Sequence, residues 1–539
     1  MRNFITPTSP DAISNQLDCE TGAMEYTDEQ EAVRNSARAL ERERDGTLKV
    51  IAGAGTGKTT TLRAVAEVMQ GRGLYLAFNR TIAEDARRKL AATRCNAATM
   101  HSVAYRTARE RELFDKPESL NMKEFLGSGI LQRNMTPALR KTGNYRVGAL
   151  VVRALANFCA SSDTEFHKRH AENAIIAMRG DPNQMHDSQR AREVENMIDM
   201  LGQSITEMAS SWYYDLVANK RMSHDIYLKT LDLNPDMIRS AFRGMKYLMI
   251  DEAQDINPVQ RSILEKANLP LIVVGDPYQQ IYSWRGAENA LSYFNGKTEY
   301  LSHSFRFGEN IAGNARSVLV QHPLGMPDKP LRGVGPGNEK DNERARTAVI
   351  CRTNIGALSE AIELHDSNIV IHVDNIENIA QDLAVAEKLK RGQSASRMNG
   401  ALRGYSYWEE LEAEAEAGNT EIGKLVNIIE RNKSWIVWRL LNEQVSAERA
   451  DVIISTAHRA KGLEFSHVVL GGDWATIPEM QEKYEKSLLI SNMAETGAIE
   501  EYNALYVAVT RAQHRISGIA ELLCNDNDGK ISQRRAEAR

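Results

Sequence analysis

The stretch LKVIAGAGTGKTTT at residues 48–61 constrains this chain more than any other. Lys49, Val50 and Ile51 continue a β-prone run that ends at Ala52, and Gly53, Gly55 and Gly57 then leave a loop with little side chain in the way. Lys58, Thr59 and Thr60 open a helix. The pattern is that of a P-loop, with Ala52 where the strict form has its first Gly. Backbone free of side chains can curl around a phosphate with its N–H groups inward, and the helix N-terminus adds partial positive charge. Ala52, Gly53, Ala54, Gly55, Thr56, Gly57, Lys58, Thr59 and Thr60 are therefore expected to cradle a nucleotide. Lys58 would reach the β- and γ-phosphates and Thr59 would ligate Mg²⁺.

A chain of 539 residues holds roughly three or four compact units. Its net charge of −5 argues against a generally basic coat, so any nucleic-acid contact must come from a local basic groove. The five cysteines (Cys19, Cys95, Cys159, Cys351, Cys524) lie far apart with no CxxC pair, which suits a reducing cytoplasm and gives no metal-cluster signature. No apolar run approaches the ~20 residues of a membrane span, and the N-terminus lacks a signal-peptide core. Residues 1–24 and 525–539 read as loosely ordered ends.

Thr27 is placed to cap a first helix, with Gln30 at the capping-box position. After the P-loop helix, Gly73–Phe78 reads as a buried strand ending in Asn79-Arg80; a helix carrying Arg87, Arg88 and Lys89 follows, then Thr99-Met100-His101. Ligands of open α/β sheets sit beyond the carboxyl ends of strands, where Asn79, Arg80, Thr99 and His101 are expected. The Arg87–Lys89 cluster reads by default as a solvated face. The next clear strand, Tyr247–Ile250, ends in Asp251-Glu252 about 190 residues past the P-loop, while a βαβ unit needs only ~30. Residues 111–221 are therefore expected to be an inserted, mostly helical unit. Asp251 would hold Mg²⁺ and Glu252 would accept a proton from attacking water.

Leu271–Val274 is another strand, and Gln279 just beyond it is placed to feel a γ-phosphate. Tyr282, Trp284 and Arg285 form either a stacking platform for single-stranded bases or part of the core. Strand-like runs from about residue 298, including Ala348–Ile350, Ile369–Ile371, Val452–Ile454 and Val468–Leu470, suit a second parallel sheet without its own P-loop. Arg306 and Arg511, early and late in that unit, could clamp a phosphoryl group across a cleft. Residues 376–446 interrupt it with charged helices; Tyr405, Tyr407, Trp408, Trp435 and Trp438 are read there as core.

The ordered series AGAGTGKT, IDEAQD, VGDPYQQIYSWRGA, TAHRAKGLEF and EEYNALYVAVTRA resembles UvrD/Rep-type superfamily 1 DNA helicases, from about Tyr26 to Arg515. SHDIYLK, HSFRFGENI and the short insertion at 405–445 look most like the helicase core of the F-box DNA helicase group, although no F-box segment is found. The resemblance implies an α/β protein with two RecA-like motor domains. The first spans 25–110 and 222–295, with the helical insertion 111–221. The second spans 296–375 and 447–524, with a reduced insertion at 376–446.

The resemblance also implies ATP and Mg²⁺ in the cleft, single-stranded DNA and its duplex junctions as partner, a monomer on DNA, and 3′→5′ movement. Repair, recombination and replication are the pathways implied, in the cytoplasm or on a nucleoid. By motif match Gln30 would read adenine, Glu464 would lie near the ribose, and Gln279, Arg306 and Arg511 would sense the γ-phosphate. Thr99, His101, Thr456 and His458 would line the DNA path. Phe78 departs from the family stretch by one position, and strand neighbours face opposite sides, which argues against a DNA stack for its ring. A nucleotide-gated DNA-binding subunit of a larger complex is the reading from a different class; Lys58, Glu252 and Arg511 weigh against it.

Overall fold

The computed structural model describes residues 26–43, 46–118, 120–179, 188–283, 289–337, 346–365, 367, 369–393, 402, 405, 407–416, 420–488 and 492–523. The loosely ordered ends expected at 1–24 and 525–539 lie outside the described residues, except that Tyr26 onward is described.

Two parallel sheets carry the architecture. The first contains β1 (Thr47–Ala52), β2 (Gly73–Ala77), β3 (Cys95–Thr99), β4 (Tyr247–Ile250), β5 (Leu271–Gly275) and β6 (Lys297–Leu301), in the order β3-β2-β4-β5-β1-β6. A short pair, β7 (His303–Ser304) and β8 (Arg332–Gly333), follows. The second sheet contains β9 (Thr347–Cys351), β10 (Ile371–Val373), β11 (Val452–Thr456), β12 (Phe465–Leu470) and β13 (Ala512–Ser517), in the order β10-β11-β9-β12-β13. Helices cover both faces of each sheet, so central strands such as β2, β4 and β5 are buried throughout and read as continuous apolar runs.

Alternate strand residues feed different cores. Leu74, Leu76, Leu248 and Ile250 join Phe125, Leu150 and Trp212 of the helical insertion, so that insertion shares one core with one face of the first sheet. Tyr75, Met249, Ile272 and Val274 face the other way, onto Leu62 and Val65 of the P-loop helix. The second sheet repeats the scheme. Val349 and Ile454 pack with Trp408 and Leu411 of the smaller insertion, while Ala348, Ile350 and Ile453 pack with Phe307 and Tyr502. Ala54, Tyr278 and Ile281 of the first unit belong to that last core, so the two units are packed against each other.

Three sequence expectations change. Lys297–Leu301 lies past the boundary expected at 295, yet β6 pairs in parallel with β1 and closes the first sheet. An edge strand with a polar, half-exposed pattern (KTEYL) carries no signal of which sheet it joins. The strand expected at Ile369–Ile371 begins only at Ile371, and Ile369 and Val370 are exposed. Tyr405 and Trp408 are core, but Tyr407, Trp435 and Trp438 are 65%, 55% and 37% exposed. The helix Ser434–Glu443 buries Ile436 and Val437, and positions 435 and 438, three apart, share a different face. Among the described residues no helix is long and apolar enough to cross a membrane.

Candidate functional site

Beyond β1 the chain turns through Gly55 (φ 72°) and Gly57 (φ 78°), left-handed conformations that disfavour a side chain. A Cβ on Gly55 would sit 2.6 Å from both Arg306 Cβ and Ser304 Oγ, so the second unit lies directly over the loop. Thr56 Oγ1 donates to Gly53 O at 2.9 Å and closes the loop. Gly57 caps the helix Lys58–Val68, and no side chain satisfies that end. The N–H groups of its first turn are thus left for an anion.

β4 delivers two carboxylates to the same place. Tyr75 Oη donates to Asp251 Oδ2 at 2.5 Å, and the Glu252 N–H donates to Asp251 Oδ1 at 2.9 Å. Glu252 itself sits at φ 52°, with Oε1 3.6 Å from Lys58 Nζ and Oε2 accepting from Gln254 Nε2 at 2.7 Å. Burial and the neighbouring Glu252 charge push Asp251 up to about 6. Burial would raise Glu252 too, but the charges of Lys58 and Lys461 outweigh it and hold that carboxyl at about 2. Buried Asp251 and half-buried Glu252 both feel the charge of Lys58. Asp251 and the Thr59 hydroxyl on the first helical turn are hard oxygen donors of the kind that could hold Mg²⁺.

The second unit supplies cations. Arg511 is fully buried; its Nε donates to Val507 O at 3.0 Å, and Nη2 lies 3.5 Å from Gln279 Oε1 across the joint between units. Burial, then repulsion from Arg306, pulls its guanidinium down to about 9. Arg306 Nε donates to Glu464 Oε1 at 2.7 Å and Nη1 to Thr510 O at 3.0 Å; Gln513 Nε2 holds the other Glu464 oxygen at 3.0 Å. Gln279 Nε2 donates to Asp276 Oδ2 at 2.7 Å. Gln30 joins its capping box through Oε1, which accepts from Thr27 N at 3.0 Å, while Nε2 stands beside Gly57.

The fold therefore brings Lys58, Asp251, Glu252, Gln279, Arg306, Arg511, Glu464 and Gln30 to one cleft. It also brings in residues that sequence reasoning assigned no role. Lys461 Nζ donates to the Gln279 carbonyl at 2.6 Å and to Asp255 Oδ2, and lies 4.9 Å above the Tyr282 ring. Burial, against the Lys461 charge, raises Asp255 to about 6. Gln254 Oε1 accepts from Asp276 N at 3.1 Å, and Tyr506 Oη donates to Asp276 Oδ2 at 3.2 Å. Lys461 and Asp255 stand inside motifs already singled out, but only tertiary contact reveals that they pair.

Along the strand ends lies a second set. Asn79 and Thr99 cap helices, accepting from Ile82 N at 2.9 Å and Ser102 N at 3.1 Å; Thr456 caps another helix without using its side chain. Arg80 is exposed and pairs with Glu84 at 2.8 Å, while His101 Nε2 lies 3.9 Å from Asp225 Oδ1. Tyr282 Oη donates to His458 O at 3.2 Å, and His458 Nε2 lies 3.3 Å from Glu500 Oε1. β2 ends at Ala77, so strand alternation does not govern Phe78, and its exposed ring lies parallel to that of Tyr282 at 6.3 Å. Trp284 and Arg285 lie outside the described residues.

Residues 33–296 match the UvrD/REP helicase N-terminal domain, and residues 338–519 match the UvrD-like helicase C-terminal domain. F-box DNA helicase 1 of Gallus gallus is 28% identical over 506 residues, which cover 87% of this chain and 47% of that protein. F-box DNA helicase protein 1 of Schizosaccharomyces pombe is 27% identical over 533 residues, covering 90% and 56%. ATP-dependent DNA helicase PcrA of Leuconostoc citreum is 26% identical over 400 residues, covering 68% and 49%. The chain spans about half the length of these curated relatives. With both halves of the motor matched in order, the chain belongs to the UvrD-like helicase family.

Proposed function

We propose that this chain is an ATP-dependent DNA helicase or translocase that moves 3′ to 5′ on single-stranded DNA. Its work would be strand separation or protein displacement in repair, recombination or replication. One observation carries the reading: Arg511 of the second unit meets Gln279 of the first at 3.5 Å, beside the Lys58–Glu252 pair. A γ-phosphate on the P-loop would be gripped from both sides, so its loss would change how the units hold each other. The relatives named as DNA helicases support the same class.

In this reading Ala52–Thr60 hold the phosphates, Gln30 reads adenine and Glu464 faces the ribose. Thr59 and Asp251 would hold Mg²⁺, which would supply positive charge to offset that of the phosphates. Glu252, kept ionised by Lys58 and Lys461, takes a proton from the attacking water. Arg306 and Arg511 balance charge on the leaving phosphoryl group. Lys461 touches both the Gln279 carbonyl and the Tyr282 ring, and so ties the cleft to the surface where bases would stack on Phe78, Tyr282 and Trp284. Asn79, Arg80, Arg285, Thr99, His101, Thr456 and His458 complete that path. The two motor units follow the ranges given above, with the first extended through Leu301. The chain works as a monomer on DNA, in the cytoplasm or on a nucleoid.

ATPase and unwinding on 3′-tailed, 5′-tailed and blunt duplexes test the proposal. Strand release on the 3′-tailed substrate alone, with hydrolysis stimulated by single strands, is expected. Slow hydrolysis unchanged by DNA would instead favour a nucleotide-gated binding subunit.

A further inference from the structure

The outer edge of the first sheet carries a second feature that the nucleotide cleft does not use. β3 is the edge strand, and against it lies a cavity of about 580 Å³. Arg72, Arg87, Arg106 and Arg243 line it, with Glu110 as the one carboxylate. Among the described residues the side chains of Arg72, Arg106 and Arg243 have no ion-pair or hydrogen-bond partner. Nearby, Arg80 and Arg88 pair with Glu84 and Asp85, whereas these three line the hollow without such a carboxylate. Unpaired guanidinium groups around one hollow make a local positive field opposite in sign to the whole chain.

The hollow also has a direction. It reaches Ala98 and Ser102 at the carboxyl end of β3, beside Thr99 and His101, and runs back to Arg72, Arg243 and Met245 near the amino ends of β2 and β4. A strand of five residues spans roughly 16 Å, so the arginines extend the strand-end surface down the side of the unit. Asn96, exposed on β3, adds a neutral hydrogen-bonding group.

We propose that this groove binds the phosphate backbone of single-stranded DNA as a continuation of the path over the strand ends. The proposal rests on the DNA-motor reading above and deepens it: the strand does not end at Thr99 and His101 but turns down the β3 edge. Guanidinium groups suit phosphate oxygens, and backbone contact needs no sequence. An added peptide strand fits less well, because Arg87 Nε already donates to the Ala97 carbonyl at 2.9 Å and blunts that edge as a template.

The test measures affinity of the full chain for oligo-dT of increasing length, with Arg106→Ala/Arg243→Ala and the charge-keeping Arg106→Lys/Arg243→Lys beside wild type. Wild type is expected to gain affinity, by about tenfold at moderate salt, when the oligonucleotide grows beyond the strand-end site. The Ala pair should lose that gain and about 1.4 of the log–log salt slope on long oligonucleotides, while short ones bind and stimulate ATPase as in wild type. The Lys pair should keep most of the gain. Equal loss at every length, or none at any length, overturns the proposal while leaving the motor reading in place. A wild type that binds no oligonucleotide sinks both. Displacement by a poly-glutamate peptide, with no length effect in the DNA series, would reassign the groove to an acidic protein segment.

Discussion

The cleft between the two sheets and the surface along their strand ends are made of different material. In the cleft, Asp251, Gln279 and Arg511 are buried and hydrogen-bonded to Tyr75, Asp276 and the Val507 carbonyl. Along the strand ends, Phe78 and Arg80 are exposed and His101 half-exposed; Phe78 meets a ring, and Arg80 and His101 lie beside the carboxylates of Glu84 and Asp225. Charges act strongly where water is excluded, and removing one partner strands the other. The cleft should therefore control rate, and the surface should control grip.

The sharpest way to break that contrast is Lys58→Ala. It removes the cation nearest Glu252, so DNA-stimulated ATPase should fall by about 10³-fold or more while single-strand affinity stays within about threefold. Wild-type turnover in steady-state assays would refute the site. Arg511→Lys comes next: an ammonium cannot reproduce the fork that reaches Val507 O and Gln279, and turnover should drop about 10³-fold with nucleotide binding retained. A loss confined to nucleotide affinity would move Arg511 out of the transition state.

His322 tests the joint itself. Its Nε2 donates to Asn503 Oδ1 at 3.0 Å, its Nδ1 accepts from Leu324 N, and its ring packs edge-on against Tyr278 of the first unit. Burial lowers the imidazole from 6.5 to about 4, so its neutral form is favoured by folding. That contribution is complete above pH 6.5 and disappears as the pH falls to 4, amounting to about 3 kcal/mol. Denaturant unfolding across this range should show His322→Gln losing less stability than wild type. Identical slopes would remove the histidine from the joint's pH response.

Tyr282→Ala should have the smallest effect, costing about 1–3 kcal/mol of single-strand affinity and reducing strand release per ATP. Tyr282→Phe keeps the ring and loses the bond to His458 O, so it should bind nearly as wild type does. Unchanged affinity in the Ala variant would return Tyr282 to the core.

What could be read from the chain follows the same division. Buried parallel strands such as YLMI and LIVVG announce themselves as apolar runs, and motifs at their ends locate the cleft. The edge strands do not: Cys95–Thr99 is CNAAT and Lys297–Leu301 is KTEYL, neither a clear β pattern. Sequence spacing also cannot show that Lys461 meets Asp255, because their separation of 206 residues is closed only by packing of the two units. Strand alternation does not place Phe78, because β2 ends one residue before it, at Ala77. The exposure of Trp435 and Trp438 is not legible either, because helical spacing alone does not say which face a short helix buries, and Tyr407 lies just before its helix.

Relative motion of the two units, driven by the nucleotide between them, is the core of the proposed activity. Spin labels at exposed positions 88 and 482, one on each unit, would report their separation directly in the presence of single-stranded DNA. A shorter distance with a non-hydrolysable ATP analogue than with ADP, and no such difference in Lys58→Ala, is the predicted result. One unchanging distance in every nucleotide state would contradict it.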